Sequence, residues 1–146
     1  MSCRPDTCAA WKASETPNTD GPWQQQLLEL LRSQLAPAGI RLNIQLMPAA
    51  QYWEIWAANT NPFSLTSWTH RPLGVMVLGL AYRTGVPWNE SYWSNKTFDE
   101  LLAKAEGILD VDKRREVMVE IETLMQEEGP IVQPLWLPTF TFMDKR

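Results

Sequence analysis

One histidine, His70, and two cysteines, Cys3 and Cys8, are all that the 146 residues supply of the side chains most used in nucleophilic and metal chemistry. A nucleophilic site needs a Ser or Cys beside a base that a third group orients, and no Gly-x-Ser-x-Gly elbow occurs. One His and two N-terminal Cys give no zinc-ligand spacing, and neither a Gly-rich phosphate loop nor an EF-hand spacing is present. The sequence therefore argues against an enzyme, and no cofactor or metal is expected. Basic runs are also missing. Thirteen Lys and Arg against seventeen Asp and Glu give a net charge of −4, so no clustered cations stand ready for a phosphate backbone and nucleic acid is not an expected partner. The longest uncharged apolar run, Leu73 to Tyr82, is about half of the roughly 20 residues that cross a bilayer. The stretch Met1 to Cys8 lacks the apolar segment of an export signal, so no signal peptide is read in this chain. Cys3 and Cys8 allow either a local disulfide or two free thiols, and do not fix a compartment.

What is present points to one domain or part of one. Apolar residues make up 45% and charged residues 21%, the balance of an ordinary globular protein. Residues 1–15 show no period and run into the turn-rich Glu15 to Pro22, so they read as an irregular segment. Trp23, Leu27, Leu30, Leu31 and Leu35 recur at helical spacing, with Asp20 or Gly21 as cap, and Pro37 and Gly39 end that helix. Ile40, Leu42, Ile44 and Leu46 alternate with polar residues and predict a strand. A short helix over Ala49 to Ala58 and a brief strand over Phe63 to Trp68 follow. Leu73 to Tyr82 suits either a buried helix or a strand, with helix preferred.

Thr97-Phe-Asp-Glu100 fits a capping box, with Asn95 as the alternative cap, and Phe98, Leu101, Leu102, Ala105, Ile108 and Leu109 form one apolar face. Asp110 caps a further helix whose Val117, Met118, Ile121, Leu124 and Met125 face inward, until Gly129-Pro130 stops it. These two helices form a hairpin. Ile131 to Leu137 reads as a strand, and Pro134 suits a sheet edge or a crossing segment. Most carboxylates, Glu100, Glu106, Glu116, Glu120, Glu122, Glu127 and Glu128 among them, lie on the polar faces of helices and read as solvated surface.

Two clusters remain as candidate ligand sites. Ser67-Trp68-Thr69-His70-Arg71-Pro72 places an indole, an imidazole and a guanidinium at a strand end, a common ligand position. The plain alternative is that Trp68 is core and Arg71 a surface charge. The loop from Arg83 to Trp93 carries Trp88, Asn89 and Tyr92, which either wall a pocket or seal the helix hairpin against a sheet.

The order of Pro17-Asn-Thr-Asp20, Gln34-Leu35, Gly39-Ile40, Ser67-Trp68, Trp88-Asn89, Ser94-Asn95, Phe98-Asp99, Leu101-Leu102, Ala105, Asp110, Lys113-Arg114 and Glu127-Glu128-Gly129-Pro130 resembles the C-terminal part of the peptide, opine and nickel-type (family 5) solute-binding proteins of ABC importers. The match runs from about Thr16 to Phe140. The resemblance implies an α/β fold, a partial lobe of a type II periplasmic-binding-protein fold with helices packed on a small mixed sheet. It divides the chain into an irregular 1–15, a partial second lobe over 16–128, and a strand and tail over 129–146 that return towards a first lobe. It also implies a small solute or short peptide as ligand, a membrane permease as partner of the intact receptor, and a periplasmic or other extracytoplasmic location. The residues expected at the ligand are Trp68, His70, Arg71, Trp88, Asn89 and Tyr92. In peptide-binding members of that family the third position after the strand-end tryptophan is acidic and pairs with the peptide's amino group; here it is Arg71, which reverses the charge and suits a carboxylate or other anion. A second reading of the chain is a small helical interaction module whose tryptophan-rich surface docks a partner, and either reading allows self-association.

Overall fold

The computed structural model describes residues 11–15, 23–56, 58, 63–69, 71–134, 136, 140 and 142–144. Three strands, β1 (Trp11–Glu15), β2 (Leu42–Leu46) and β3 (Phe63–Leu65), form a sheet in the order β2-β1-β3. Both pairings are parallel, with Trp11 opposite Leu42 and Ala13 opposite both Ile44 and Phe63. Among the described strands the sheet is therefore parallel and not mixed. Parallel neighbours need crossovers, and helix α1 (Trp23–Leu35) joins β1 to β2 while α2 (Ala49–Ile55) joins β2 to β3. The chain thus lays β2 on one side of β1 and β3 on the other, which makes β1 a topological switch point. Ligand crevices of open α/β sheets lie outside the carboxyl ends of strands at such a point.

The irregular reading of residues 1–15 is corrected over its last five residues. Trp11–Glu15 is the central strand of the sheet. Trp-Lys-Ala-Ser-Glu alternates only over its first four residues and has no β-branched residue, so its strand conformation owes more to two flanking ladders than to local preference. Cys3, Cys8 and the Asp20/Gly21 cap lie outside the described residues. The strand expected over Ile131 to Leu137 also requires correction. Ile131 to Pro134 and Trp136 are not in a strand. A strand exists only as a member of a ladder, no described segment pairs with this one, and Pro134 has no N–H to give.

In α1 the most buried positions are Gln24 and Leu28, with Leu31 and Leu35 half-buried on the same stripe, whereas Leu30 is 51% exposed. The inner face is turned by about one residue from the one expected. Past its end Gly39 takes φ 80° and donates to the Ala36 carbonyl at 3.0 Å, and Ile40 donates to Leu35 at 3.2 Å. Only glycine adopts that backbone without strain.

The main core lies away from the sheet, among α3 (Gly74–Ala81), α4 (Lys96–Glu106) and α5 (Val111–Glu128). Val75, Phe98, Leu102, Ala105, Val117, Ile121 and Met125 form one buried cluster, and Leu78, Tyr82 and Trp93 pack on it. Phe98, Leu102 and Ile121 are fully buried, each contributing about 1.5–3 kcal/mol from burial. The hairpin has its own fasteners. Asn95, not Thr97, caps α4, its Oδ1 accepting from the Phe98 N–H at 3.1 Å, while its Nδ2 donates to Glu128 Oε2 at 3.1 Å and so ties the start of α4 to the end of α5. Asp110 Oδ1 accepts from the N–H groups of Asp112 and Lys113, both at 3.0 Å. Between the helices the Arg114 guanidinium donates to the carbonyls of Ile108 (2.8 Å) and Leu109 (3.2 Å), which would otherwise be orphaned at the helix end.

Candidate functional site: a tryptophan pocket at the end of the sheet

Three segments distant in sequence meet beyond the carboxyl end of β3. The first is α2, whose Tyr52, Trp53 and Trp56 lie on adjoining faces. The second is the exit from β3, Thr66-Ser67-Trp68-Thr69. The third is the loop between α3 and α4, which brings Trp88 and Glu90. Trp56, Trp68 and Trp88 form a triangle, with ring centroids 6.3 Å (Trp56 to Trp68), 6.5 Å (Trp56 to Trp88) and 6.0 Å (Trp68 to Trp88) apart. Trp53 stands edge-on to Trp56 at 5.4 Å, and Tyr52 edge-on to Trp53 at 5.5 Å. A cavity of about 420 Å³ opens among Trp53, Trp56, Trp68, Trp88 and the Thr66, Ser67 and Thr69 residues of the strand exit. That volume falls within the range of small-molecule sites, and its make-up, large aromatic walls with a few hydroxyls, is the usual one.

The α3–α4 loop is tied down by hydrogen bonds within it and to α4. Asn89 is buried, its Nδ2 donating to the carbonyls of Arg83 (3.2 Å) and Trp93 (2.8 Å) while its Oδ1 accepts from Ser91 Oγ (2.7 Å). The Arg83 guanidinium pairs with Glu106 at 2.6 Å, the Thr84 N–H donates to Asp99 Oδ1 at 3.1 Å, and Trp93 packs edge-on against Phe98 at 5.0 Å. Both loop ends are thus held on α4. Gly85 supplies a left-handed turn at φ 77°, and Tyr92, a residue that seldom adopts it, sits at φ 55°. The outcome is that Trp88, 46% exposed, is presented to Trp56 and Trp68 from a fixed base.

Behind the indoles lies a carboxyl. Glu90 is half-buried, with Trp56, Trp68, Ser64 and Tyr52 offering donors to it. The contacts are loose. Glu90 Oε2, the Trp56 indole nitrogen and the Tyr52 hydroxyl are buried yet complete no hydrogen bond of regular geometry. Burial raises the Glu90 carboxyl above its ordinary value, and the surrounding donors only partly offset this. Burial also raises Tyr52, and it pushes Tyr82 up to about 12; in both cases the Glu90 charge adds to the effect.

Of the six residues expected at a ligand, the structure brings Trp68 and Trp88 together in this pocket. Arg71 is at its edge, Nη1 donating to the Thr69 hydroxyl at 2.7 Å. Asn89 and Tyr92 line a separate cleft of about 290 Å³ formed by their own loop, and the Asn89 amide is engaged within that loop. His70 lies outside the described residues. Trp53, Trp56 and Glu90 were missed as site residues. Trp53 and Trp56 carry a sequence signal, two indoles three residues apart at the end of a short helix, whereas Glu90 reads locally as one more surface acid. Among the described residues no group of three His, Cys, Asp or Glu could hold a metal ion, and no helix is long and apolar enough to cross a membrane.

No family model matches the chain, and neither does any curated protein. Solved structures do. The unliganded open form of the periplasmic murein tripeptide-binding protein MppA superposes with a TM-score of 0.76 at 17% identity, over 87% of this chain and 24% of that one. NikA from Staphylococcus aureus, solved with Ni(L-His)2, gives 0.73 at 17% identity over 87% and 27%. The periplasmic binding protein DppA from Helicobacter pylori, solved with the peptide STSA, gives 0.68 at 18% identity over 83% and 24%. The chain spans about a quarter of the length of each of these structures. At such identities the likeness is one of fold. The chain has the fold of a partial lobe of a type II periplasmic binding protein, the fold of the substrate-binding proteins of ABC transporters.

Proposed function

We propose that this chain is part of the substrate-binding component of an ABC-type importer for peptides or related small solutes, acting outside the cytoplasmic membrane with a membrane permease. The observation that supports this most is the indole-walled cavity at the carboxyl end of β3, on a fold shared with substrate-binding proteins. Trp68 and Trp88 are the residues assigned to contact the solute. Arg71, beside Thr69 at the pocket edge, is assigned to a carboxylate or other anion of that solute, because guanidinium offers a planar two-pronged donor. The reading includes no catalytic step.

In receptors that close two lobes around a ligand, each lobe supplies part of the contacts. The pocket is accordingly half a site. The test is to read the genes flanking this coding sequence and to titrate the protein with short peptides. Permease and ATPase genes alongside, with millimolar binding at the tryptophans, support the reading; a flanking region without transport genes and no response at those tryptophans overturn it. The alternative of a helical interaction module draws on exposed Trp53 and Trp88, and it predicts a protein partner captured through those indoles with no response to solutes.

A further inference from the structure

The cavity contains more chemical information than its apolar walls convey. Four indoles, Trp53, Trp56, Trp68 and Trp88, border it, and indole has the most electron-rich face of the natural side chains, which attracts cations. The carboxyl of Glu90 lies behind two of those walls, where Trp56 and Trp68 point their N–H edges at it. A negative group at the N–H edge pushes electron density towards the ring faces and sets a negative field across the pocket. The Glu90 oxygen Oε2 is buried without a regular hydrogen bond, so no neighbouring proton donor fully offsets that charge. Beside the pocket the Arg71 guanidinium donates to Thr69, one of the lining residues. The pocket is therefore polarised, with a carboxyl behind the indoles and a guanidinium at the rim.

Resting on the solute-binding reading above, we infer that the indole box holds an organic ammonium group of the solute, with Glu90 as its remote counter-charge, and that the solute is bipolar, its anionic end directed to Arg71. Glu90 acts through Trp56 and Trp68 and is a positioning residue for the cation. An uncharged aromatic or aliphatic solute would gain only from burial and would leave Glu90 without a role.

The experiment is a titration of the 146-residue protein followed by the indole N–H resonances, using choline, its uncharged carbon isostere 3,3-dimethylbutan-1-ol, and acetate as separate probes. Choline should shift Trp56, Trp68 and Trp88 together with saturation in the millimolar range, about tenfold tighter than the isostere, the ratio a partly exposed cation–π contact gives. Glu90→Gln should reduce that ratio severalfold while leaving binding of the isostere unchanged, which a merely structural role would not do. Trp88→Leu, at a half-exposed position outside the helical core, should abolish the preference in a protein that keeps its native helical content. Equal affinity for choline and the isostere, or no effect of Glu90→Gln on their ratio, overturns the cation inference and leaves solute binding standing. No response of these tryptophans to any of the three probes overturns both.

Discussion

Trp68 and Trp88, twenty residues apart in the chain, hold their rings 6.0 Å apart at 57°. One comes from the exit of a parallel strand and the other from a loop clamped on α4, so their pairing reports whether the sheet and the helical core are correctly docked. Indoles this close couple their electronic transitions. Trp88→Phe should reduce and reshape the exciton couplet in the far-ultraviolet circular dichroism spectrum, leaving the part that comes from the Trp53–Trp56 and Trp56–Trp68 pairs, while denaturant unfolding shifts by no more than about 1 kcal/mol, because Trp88 is half-exposed. An unchanged couplet would mean that the two rings are not neighbours in solution.

Asn89 is the clamp of that loop, and its removal strands two carbonyls in a partly buried place. Asn89→Ala should cost about 1–3 kcal/mol in urea unfolding. The same substitution should broaden the indole resonance of Trp88, since the Asn89 amide joins the Arg83 and Trp93 ends of the turn through one buried side chain. A loss below 0.5 kcal/mol, a ~0.5 threshold for surface sites, would assign the loop's rigidity to Arg83–Glu106 instead.

The helical core should answer to size. Phe98→Ala removes a fully buried ring and should destabilise by about 3–5 kcal/mol. Leu109→Ala, at a residue 91% exposed although it was expected on the same apolar face, should change stability by no more than about 0.5 kcal/mol. Calorimetric or urea unfolding of the two variants side by side distinguishes them.

Stability should fall at alkaline pH through Tyr82. Its folded value is pushed up to about 12 from 10.0, so the folded protein keeps the phenolic proton longer than the unfolded chain does. The resulting stabilisation is complete below the unfolded value and is lost as pH rises through the folded one. Glu90 acts in the same direction at lower pH. Its carboxyl is held above the ordinary 4.5, so its contribution is present in acid and disappears as pH climbs through the raised value. Glu90→Gln should flatten the acid limb of the stability profile, and Tyr82→Phe the alkaline limb, each measured by urea unfolding as a function of pH.

The legible parts of this fold were those whose physics is local. Asp110 and Gly39 announce helix ends through side-chain capping and left-handed backbone, and Phe98, Leu102 and Ala105 announce a buried face by spacing alone. The hairpin of α4 and α5 follows from such signals. What escaped was decided by pairing. Trp11–Glu15 is a strand because β2 and β3 flank it, and Leu30 points outward because α1 buries its Gln24 and Leu28 stripe instead. At the site, Trp68 and Trp88 were readable as aromatics beside a strand end and a loop. The meeting of Trp56 with Trp68 and Glu90, 12 and 34 positions further on, was not, because it is a property of the crossover from α2 to β3 and of the loop that follows α3.

The measurement that bears most directly on the receptor reading is a titration of the protein with short peptides, followed by calorimetry and by the indole N–H resonances together. Binding is expected to be no tighter than the millimolar range, with Trp56, Trp68 and Trp88 shifting in concert while Trp23 and Trp93 stay in place. Micromolar affinity, or shifts centred on Trp93 and the cleft beside Tyr92, would contradict it.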